Sequence, residues 1–153
     1  MILQAGSKVF VLKYNENYIP NAMELHKDKC KEVGNCWYGK AGKRPAMNKL
    51  RDFLGDGINM IFYNKKHTYI CRLLDVSEFK PDEGYPEYYN DSMWKPNSWY
   101  LITELMQIDK NILEKLVVLS SGKRMSDTIN SSMTSFYFTE LVDSVDVNGG
   151  SDA

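Results

Sequence analysis

The sequence predicts an α+β fold in which a small, curled, barrel-like mixed sheet is flanked by helices. Apolar segments follow one another as strand, helix, helix, strand, strand, long loop, strand and helix. Hairpin-linked strands with the helices kept apart from them are typical of the α+β class. Curling is expected because an open edge of apolar strands invites pairing with other chains. The length of 153 residues fits one domain, which we expect over 1–142, with a Gly/Ser/Asp-rich flexible tail or linker over 143–153.

The first third of the chain predicts one strand and two helices. A near-continuous apolar run with β-forming residues predicts a central strand over 8–14. Helical spacing of apolar residues predicts a helix from about residue 21 to 33, and Gly34 supplies its C-cap. A second apolar stripe predicts a helix over 45–54, with Pro45 in its first turn.

The remaining elements are predicted mainly as strands. Period-two alternation and β-forming residues predict strands over 58–63 and 68–79, which together form a hairpin. Residues 80–97 form a long loop rich in proline and aromatic residues, and loops of this length are often functional. The elements that follow are a strand over 98–108, a short helix over 110–116 and, over 136–142, either a strand or a last helical turn.

The composition excludes several functional classes. A net charge of −1 excludes a strongly basic binder of the histone type, although a local basic patch can still steer a ligand. Three irregularly spaced cysteines argue against a disulfide framework, and two histidines without a Cys-x-x-Cys pair argue against zinc. No stretch approaches the roughly 18 apolar residues of a membrane span, and the start is too short for a signal peptide. We therefore expect a cytoplasmic protein without cofactor or metal.

The segment from Gly34 to Pro45 is the most informative stretch for function. Glycine and proline predict a loop, which is cationic and carries a Trp37-Tyr38 pair at its centre. A tryptophan in such a loop either fills the core or forms one wall of a pocket. Aromatic faces beside cations suit a single-stranded or flipped nucleotide, whose base stacks while its phosphates are neutralised. The cations around this loop and the helix after it are Lys13, Lys40, Lys43, Arg44, Lys49 and Arg51. The alternative is that they form a solvated helix face.

The long loop carries further aromatic residues, including Tyr89 and Trp94. Aromatic side chains from separate loops can enclose a flat ring that bears a methyl group, although they can equally pack the loop onto the domain. The sequence gives less support for catalysis than for binding, since the chain has no nucleophile elbow, phosphate-binding loop or dinucleotide motif. An enzyme would have to use Cys36, His26 or Asp75, so we expect a binding domain.

Taken in order, these motifs resemble a YTH domain and, more broadly, the PUA-like group that includes EVE domains. The residues that carry the resemblance are the strand Val9 to Tyr14, the loop Cys36-Trp37-Tyr38-Gly39, the hairpin from Ile61 to Val76, and Tyr89 and Trp94-Lys95 ahead of a strand. The similarity spans about residues 8–138.

The resemblance implies a reader, meaning a domain that binds a modified base such as N6-methyladenine in DNA or RNA. The implied base cage consists of Trp37, Tyr89 and Trp94. The implied base-edge contacts are Tyr14, Asn17 and the backbone of Tyr38, and the implied phosphate contacts are Lys13, Lys40, Lys43 and Arg44. Because some EVE-type relatives are specificity modules of McrBC-like restriction systems, a fused or associated motor or nuclease is the implied partner. A protein-interaction module and a small-ligand PUA-like domain or enzyme are the alternatives.

Overall fold

The computed structural model describes residues 2–91, 93 and 95–147. The chain divides into two compact units. Unit 1 comprises Met1–Tyr14, Ile58–Ile70 and Met106–Ala153, and unit 2 comprises Asn15–Gly57 and Cys71–Leu105. The predicted α+β class is confirmed, with a mixed sheet and few helices in the described residues.

Strands dominate the described residues. In chain order these residues form β1 (Ile2–Leu3), β2 (Lys8–Lys13), α1 (Ala22–Val33), β3 (Cys36–Lys40), α2 (Met47–Leu54), β4 (Ile58–Tyr63), β5 (Thr68–Ser77), β6 (Ser98–Ile108), β7 (Leu116–Val118), α3 (Met125–Thr128), β8 (Phe136–Leu141) and β9 (Val145–Asp146). Short 3-10 helices, Glu87–Asn90 and Lys110–Lys115, lie in the connections. β5 and β6 each contribute residues to both units.

The centre of unit 1 is β2, an apolar strand that is buried on both faces. It pairs parallel to β4 and antiparallel to β8, and the hydrogen-bonded order in this unit is β5-β4-β2-β8-β7. Alternate residues of a strand point to opposite faces. Val9 and Val11 therefore enter the apolar core of unit 1, while Phe10 packs against Phe136 and Phe138 with ring centroids 6.4 and 5.4 Å apart. β1 and β9 form a separate antiparallel pair.

Unit 2 contains the Trp37 segment. Its strand order is β3-β6-β5, and β3 is an edge strand paired antiparallel to β6, with Tyr38 opposite Tyr100 and Gly39 opposite Trp99. The helices α1 and α2 precede and follow β3, and each buries one apolar face. Gly34 ends α1 with a φ of 93°, a conformation that a residue without a side chain adopts readily.

Most of the predicted elements are confirmed, and the corrections concern supposed loops. The Trp37 segment contains a strand, β3, because its backbone completes a ladder with β6. The segment 136–142, for which a strand and a helical turn are both expected, contains the strand β8. Within the expected tail, Val145–Asp146 pairs with β1 and Val147 is buried, so ordered chain continues past residue 142. The strand order is open at both ends, so the barrel-like closure is not confirmed.

Candidate nucleic-acid interface

The site residues predicted from sequence fall in both units. Lys13 and Tyr14 belong to unit 1, and the members in unit 2 are Asn17, Trp37, Tyr38, Lys40, Lys43, Arg44 and Tyr89. The remaining expected cage residue, Trp94, lies outside the described residues.

Tyr89 is the centre of an aromatic cluster in unit 2. The Tyr89 cluster, as we call it, also contains His26, Tyr85, Tyr88 and Trp99. The Tyr89 ring centroid lies 4.2 Å from that of Tyr88, 5.0 Å from Trp99, 5.6 Å from His26 and 5.9 Å from Tyr85. Only 2% of Tyr89 is exposed. The structure thus places Tyr89 as a packing residue, and a base could contact its ring only after a neighbouring side chain moved.

The Tyr89 hydroxyl links α1 to β3 through hydrogen bonds. His26 Nδ1 lies 2.7 Å from the carbonyl oxygen of Ala22, which can only accept, so Nδ1 carries the imidazole proton. His26 Nε2 is then an acceptor, and the Tyr89 hydroxyl donates to it at 2.9 Å. The same hydroxyl accepts from the backbone N–H of Gly39 at 2.9 Å. Burial lowers the pKa of His26 to about 4, against a smaller opposing effect of the bond to Ala22, which keeps the imidazole neutral.

Two residues of β3 direct their backbone N–H groups away from β6. The N–H of Trp37 donates to the carbonyl of Gly84 at 2.8 Å, and that of Gly39 donates to the Tyr89 hydroxyl. Because hydrogen-bonding directions alternate along a strand, the backbone groups of Tyr38 face β6. The outward N–H groups of β3 are therefore those of Trp37 and Gly39, and both already have partners within the protein. The contact between the Tyr38 backbone and a base remains a prediction.

Gly39 allows a close approach between β3 and a buried tryptophan. A Cβ atom on Gly39 would lie 2.7 Å from Cζ3 of Trp99 and 2.8 Å from Cγ of Pro96. The fully buried Trp99 stands opposite Gly39 and fills the space that the glycine leaves. Trp99 was not among the predicted site residues, and His26 was considered only as a residue that an enzyme would have to use. The one signal for Trp99 in the sequence is Gly39 itself, since a glycine between bulky residues of a strand often marks such an approach.

Trp37 is the half-buried aromatic residue of β3. The long loop returns to it at Gly84, where a Cβ atom would lie 3.6 Å from Cδ1 of the indole. The Trp37 side chain therefore rests beside the loop backbone while part of its surface stays open to solvent. A partly exposed indole of this kind is what a stacked base requires.

A cationic loop, residues 40–44, continues directly from β3, and we call it the basic loop. Asn97 holds this loop through several hydrogen bonds. Its backbone N–H donates to the Lys40 carbonyl at 3.0 Å, and its side-chain amide donates to the Gly42 carbonyl at 2.8 Å. Its carbonyl accepts from Arg44 Nη1 at 2.6 Å. Asn97 was not identified from the sequence, where it is one more polar residue ahead of a strand.

The cations of the basic loop differ in exposure. Lys43 and Arg44 are exposed, whereas Lys40 is half-buried and its burial lowers the pKa of its ammonium group. Asn17, expected at the base edge, is exposed on the connection between β2 and α1. Its backbone N–H donates to Asn15 Oδ1 at 3.3 Å in a local turn. The exposed cations next to the strand that carries Trp37 are therefore Lys43 and Arg44, of which Arg44 also donates to the Asn97 carbonyl.

In unit 1, Lys13 and Tyr14 line a cavity of about 220 Å³. Its other lining residues are Tyr63, Asn64, Lys65, Ile129 and Asn130. The Lys13 ammonium donates to the carbonyl of Ser132 at 2.7 Å and lies 5.7 Å from the centroid of the Tyr137 ring. The Tyr63 hydroxyl donates to the side-chain oxygen of Asn130 at 3.0 Å. With two lysines and no carboxylate in its lining, this cavity suits a small anion.

The three residues that an enzyme would have to use, Cys36, His26 and Asp75, each interact with other groups of the protein. The hydrogen bond between Cys36 and Cys30, together with burial, raises the pKa of the Cys36 thiol. The two ring nitrogens of His26 are engaged by Ala22 and Tyr89, so the imidazole is not available as a base for Cys36. Asp75 is exposed, and its Oδ1 accepts from the next backbone N–H. In the described part of the chain, no three or more His, Cys, Asp or Glu residues are grouped to hold a metal ion.

Comparison of the chain with protein-family models, curated proteins and solved structures gives no match. None of the helices within the described ranges has the length and apolar character needed to cross a bilayer.

Proposed function

We propose that this protein binds a modified base in nucleic acid, with the base stacked on Trp37 and adjoining phosphates held by the basic loop. The observation that carries the proposal is that these features are continuous on β3. A partly exposed tryptophan is followed directly by a cationic loop that Asn97 holds in place. Stacking on an aromatic side chain contributes about 1–3 kcal/mol per base, and each neutralised phosphate adds salt-dependent affinity.

The rigidity of β3 supports this proposal. Gly84 and Tyr89 hydrogen-bond the outer side of β3, while β6 pairs with its inner side. A wall that is already fixed before binding loses little conformational entropy on binding. In the proposed complex Trp37 forms one face of the cage, and Trp94 is the second wall that the resemblance implies. Contact between a base and the buried ring of Tyr89 would require a neighbouring side chain to move. Asn17 and Tyr38, which lie in the same unit as Trp37, remain the proposed base-edge contacts from the resemblance.

A methyl group would add a modest preference for the modified base. At about 25 cal/mol per Å² of buried apolar area, a methyl contributes about 1–2 kcal/mol, which corresponds to discrimination on the order of tenfold. An intact duplex should bind more weakly than a single strand, because flipping a base out costs a few kcal/mol. In this proposal any catalysis belongs to a fused or associated motor or nuclease.

The phosphate part of the proposal is tested by the salt dependence of strand binding. For single strands the slope of log affinity against log salt is about 0.7 per phosphate contact, so Lys43→Ala/Arg44→Ala should reduce it by about 1.4. The matched control is Lys27→Ala/Lys31→Ala on α1, in the same unit, which removes the same charge and should leave the slope unchanged. Equal reductions in the two double variants would show non-specific attraction and would contradict a role for the basic loop.

A second candidate function is favoured by the cavity in unit 1, namely binding of a small anion. Its volume of about 220 Å³ lies below the roughly 300–1,000 Å³ of most ligand sites. We expect inorganic phosphate to raise the melting temperature of the protein and Lys65→Ala to abolish that effect. Selectivity for a modified strand that persists in Lys65→Ala would favour the first function over this one.

A further inference from the structure

Unit 2 contains a close pair of buried cysteines that the proposed function does not use. Cys30 lies on α1 and Cys36 begins β3, and their sulfur atoms are 2.9 Å apart. Cys30 is 8% exposed and Cys36 is fully buried. All three cysteines of the chain, including the buried Cys71, are free thiols in the structure.

The two sulfur atoms are not much farther apart than the bonded atoms of a disulfide. A disulfide has a sulfur–sulfur length of about 2.05 Å, so the two atoms need to approach by about 0.9 Å. The chain between the two residues consists of the end of α1 and the exposed link Gly34-Asn35, in which the glycine has a φ of 93°. Such a turn can adjust more easily than the helix and strand that it connects.

The surroundings assign different chemical roles to the two sulfurs. The hydrogen bond with Cys36 lowers the pKa of the Cys30 thiol, against an opposing effect of burial. The same bond raises the pKa of Cys36. Either sulfur can be the donor in this bond, and each also has a backbone carbonyl as an alternative acceptor, His26 at 3.3 Å for Cys36 and Ile102 at 3.5 Å for Cys30. The partner with greater thiolate character is therefore also the more exposed partner. Thiolate character and access together determine which cysteine reacts first with an oxidant.

We propose that Cys30 and Cys36 are a redox modification site that forms a reversible intramolecular disulfide with a small two-electron oxidant. With a peroxide, the Cys30 thiolate attacks one oxygen, the O–O bond breaks, and the leaving oxygen departs as water after protonation. Cys36 then attacks the sulfur of the resulting sulfenic acid, the S–O bond breaks, and a second water leaves. Two thiols are oxidised and one peroxide is reduced to two waters. With a small-molecule disulfide, Cys30 displaces one thiol and Cys36 displaces the second.

The bond would join the last turns of α1 to the first residue of β3. Trp37 is the next residue along β3, so its fluorescence should report the change. The chemistry of the pair does not depend on whether the protein binds nucleic acid, and the two proposals can fail separately.

The test uses the purified protein, equilibrated in one arm with hydrogen peroxide and in another with oxidised and reduced glutathione. Alkylation under denaturing conditions and intact-mass measurement then count the thiols. We expect oxidation to remove two of the three thiols and to lower the mass of the protein by two hydrogens. Dithiothreitol should restore both thiols. Peptide mapping of the wild-type protein should find Cys30 joined to Cys36, so the result does not depend on variants that fold. The two arms distinguish peroxide from disulfide exchange as the oxidising chemistry.

Variants provide the matched controls. Cys71→Ser should still lose two thiols, whereas Cys30→Ser and Cys36→Ser should each lose the intramolecular bond, with circular dichroism confirming that each is folded. The proposal is overturned if all three thiols survive in both arms. It is equally overturned if peroxide produces only sulfinic acid at Cys30, or if the mapped disulfide involves Cys71 or a second copy of the chain.

Discussion

The buried imidazole of His26 leads to a quantitative prediction about stability and pH. His26 is fully buried in unit 2, where Nδ1 donates to Ala22 and Nε2 accepts from the Tyr89 hydroxyl. Adding a proton to Nε2 would remove that acceptor and create a charge in a buried position. The folded protein should therefore resist protonation of this residue, and acid should favour the unfolded chain.

The size of the effect follows from the two pKa values. The pKa of His26 falls from an ordinary 6.5 in the unfolded chain to about 4 in the folded protein, mainly because of burial. Between these values the unfolded chain binds more protons, so the free energy of unfolding rises with pH. The contribution is fully present above pH 6.5, is lost progressively as the pH falls, and is gone below about 4. At about 1.4 kcal/mol per pH unit, the loss over this interval is about 3 kcal/mol.

Urea unfolding at a series of pH values from 4 to 7 measures this loss. The control is His26→Gln, which has no imidazole to titrate, while the carboxylates titrate alike in both proteins. The stability advantage of the wild type over His26→Gln should shrink by about 3 kcal/mol from pH 7 to pH 4. Parallel stability profiles for the two proteins would refute the reasoning, because they would mean that burial of the imidazole does not oppose its protonation.

The hydrogen bonds and packing around β3 lead to further predictions. Tyr89→Phe keeps the ring but removes the hydroxyl partner of His26 and Gly39, and should cost about 1–3 kcal/mol in urea unfolding. A cost within experimental error would mean that these bonds contribute nothing net. Gly39→Ala forces a methyl group against a buried indole and should cost about 1–3 kcal/mol. The control is Gly42→Ala, because a Cβ atom there meets nothing within 4 Å. It should cost only the strain of its positive φ, about 1 kcal/mol. If Gly39→Ala and Gly42→Ala cost the same stability, the packing explanation is wrong. Asn97→Ala should accelerate amide hydrogen exchange in the basic loop and weaken strand binding while α1 exchanges as before; unchanged exchange in the loop would contradict the role given to Asn97.

The elements that the sequence predicts well are those with a local signal. The strands β2, β4 and β6 are apolar and rich in β-forming residues, and their observed bounds lie within a residue of those expected. The strand β3 was missed because its pairing with β6 joins segments about 60 residues apart, and glycines around it carry the local signal of a loop. Strand formation depends on such neighbours more than on intrinsic propensity.

The candidate site shows the same division between local and long-range information. The neighbourhood of Trp37 and the basic loop was predictable because aromatic and cationic residues lie together in the sequence. The position of Tyr89 was not, since an aromatic residue in a loop can either form a wall or pack inside. The hydrogen bonds of the Tyr89 hydroxyl hold the side chain inside the protein. Their partners, His26 and Gly39, are 63 and 50 residues away along the chain. No sequence pattern marks those pairings.

Tryptophan fluorescence during titration with short strands tests the central claim most directly, because a base stacked on Trp37 should quench its emission. The strands are single-stranded DNA and RNA, each plain or carrying N6-methyladenine or 5-methylcytosine. Trp37→Ala and Phe79→Ala are titrated alongside, the second removing an aromatic ring that is 75% exposed elsewhere in unit 2. We predict that one modified strand quenches the emission, that its plain counterpart binds about tenfold more weakly, and that only Trp37→Ala loses the effect. Equal binding of all strands, no binding at low salt, or equal behaviour of the two variants would contradict a modified-base site at Trp37.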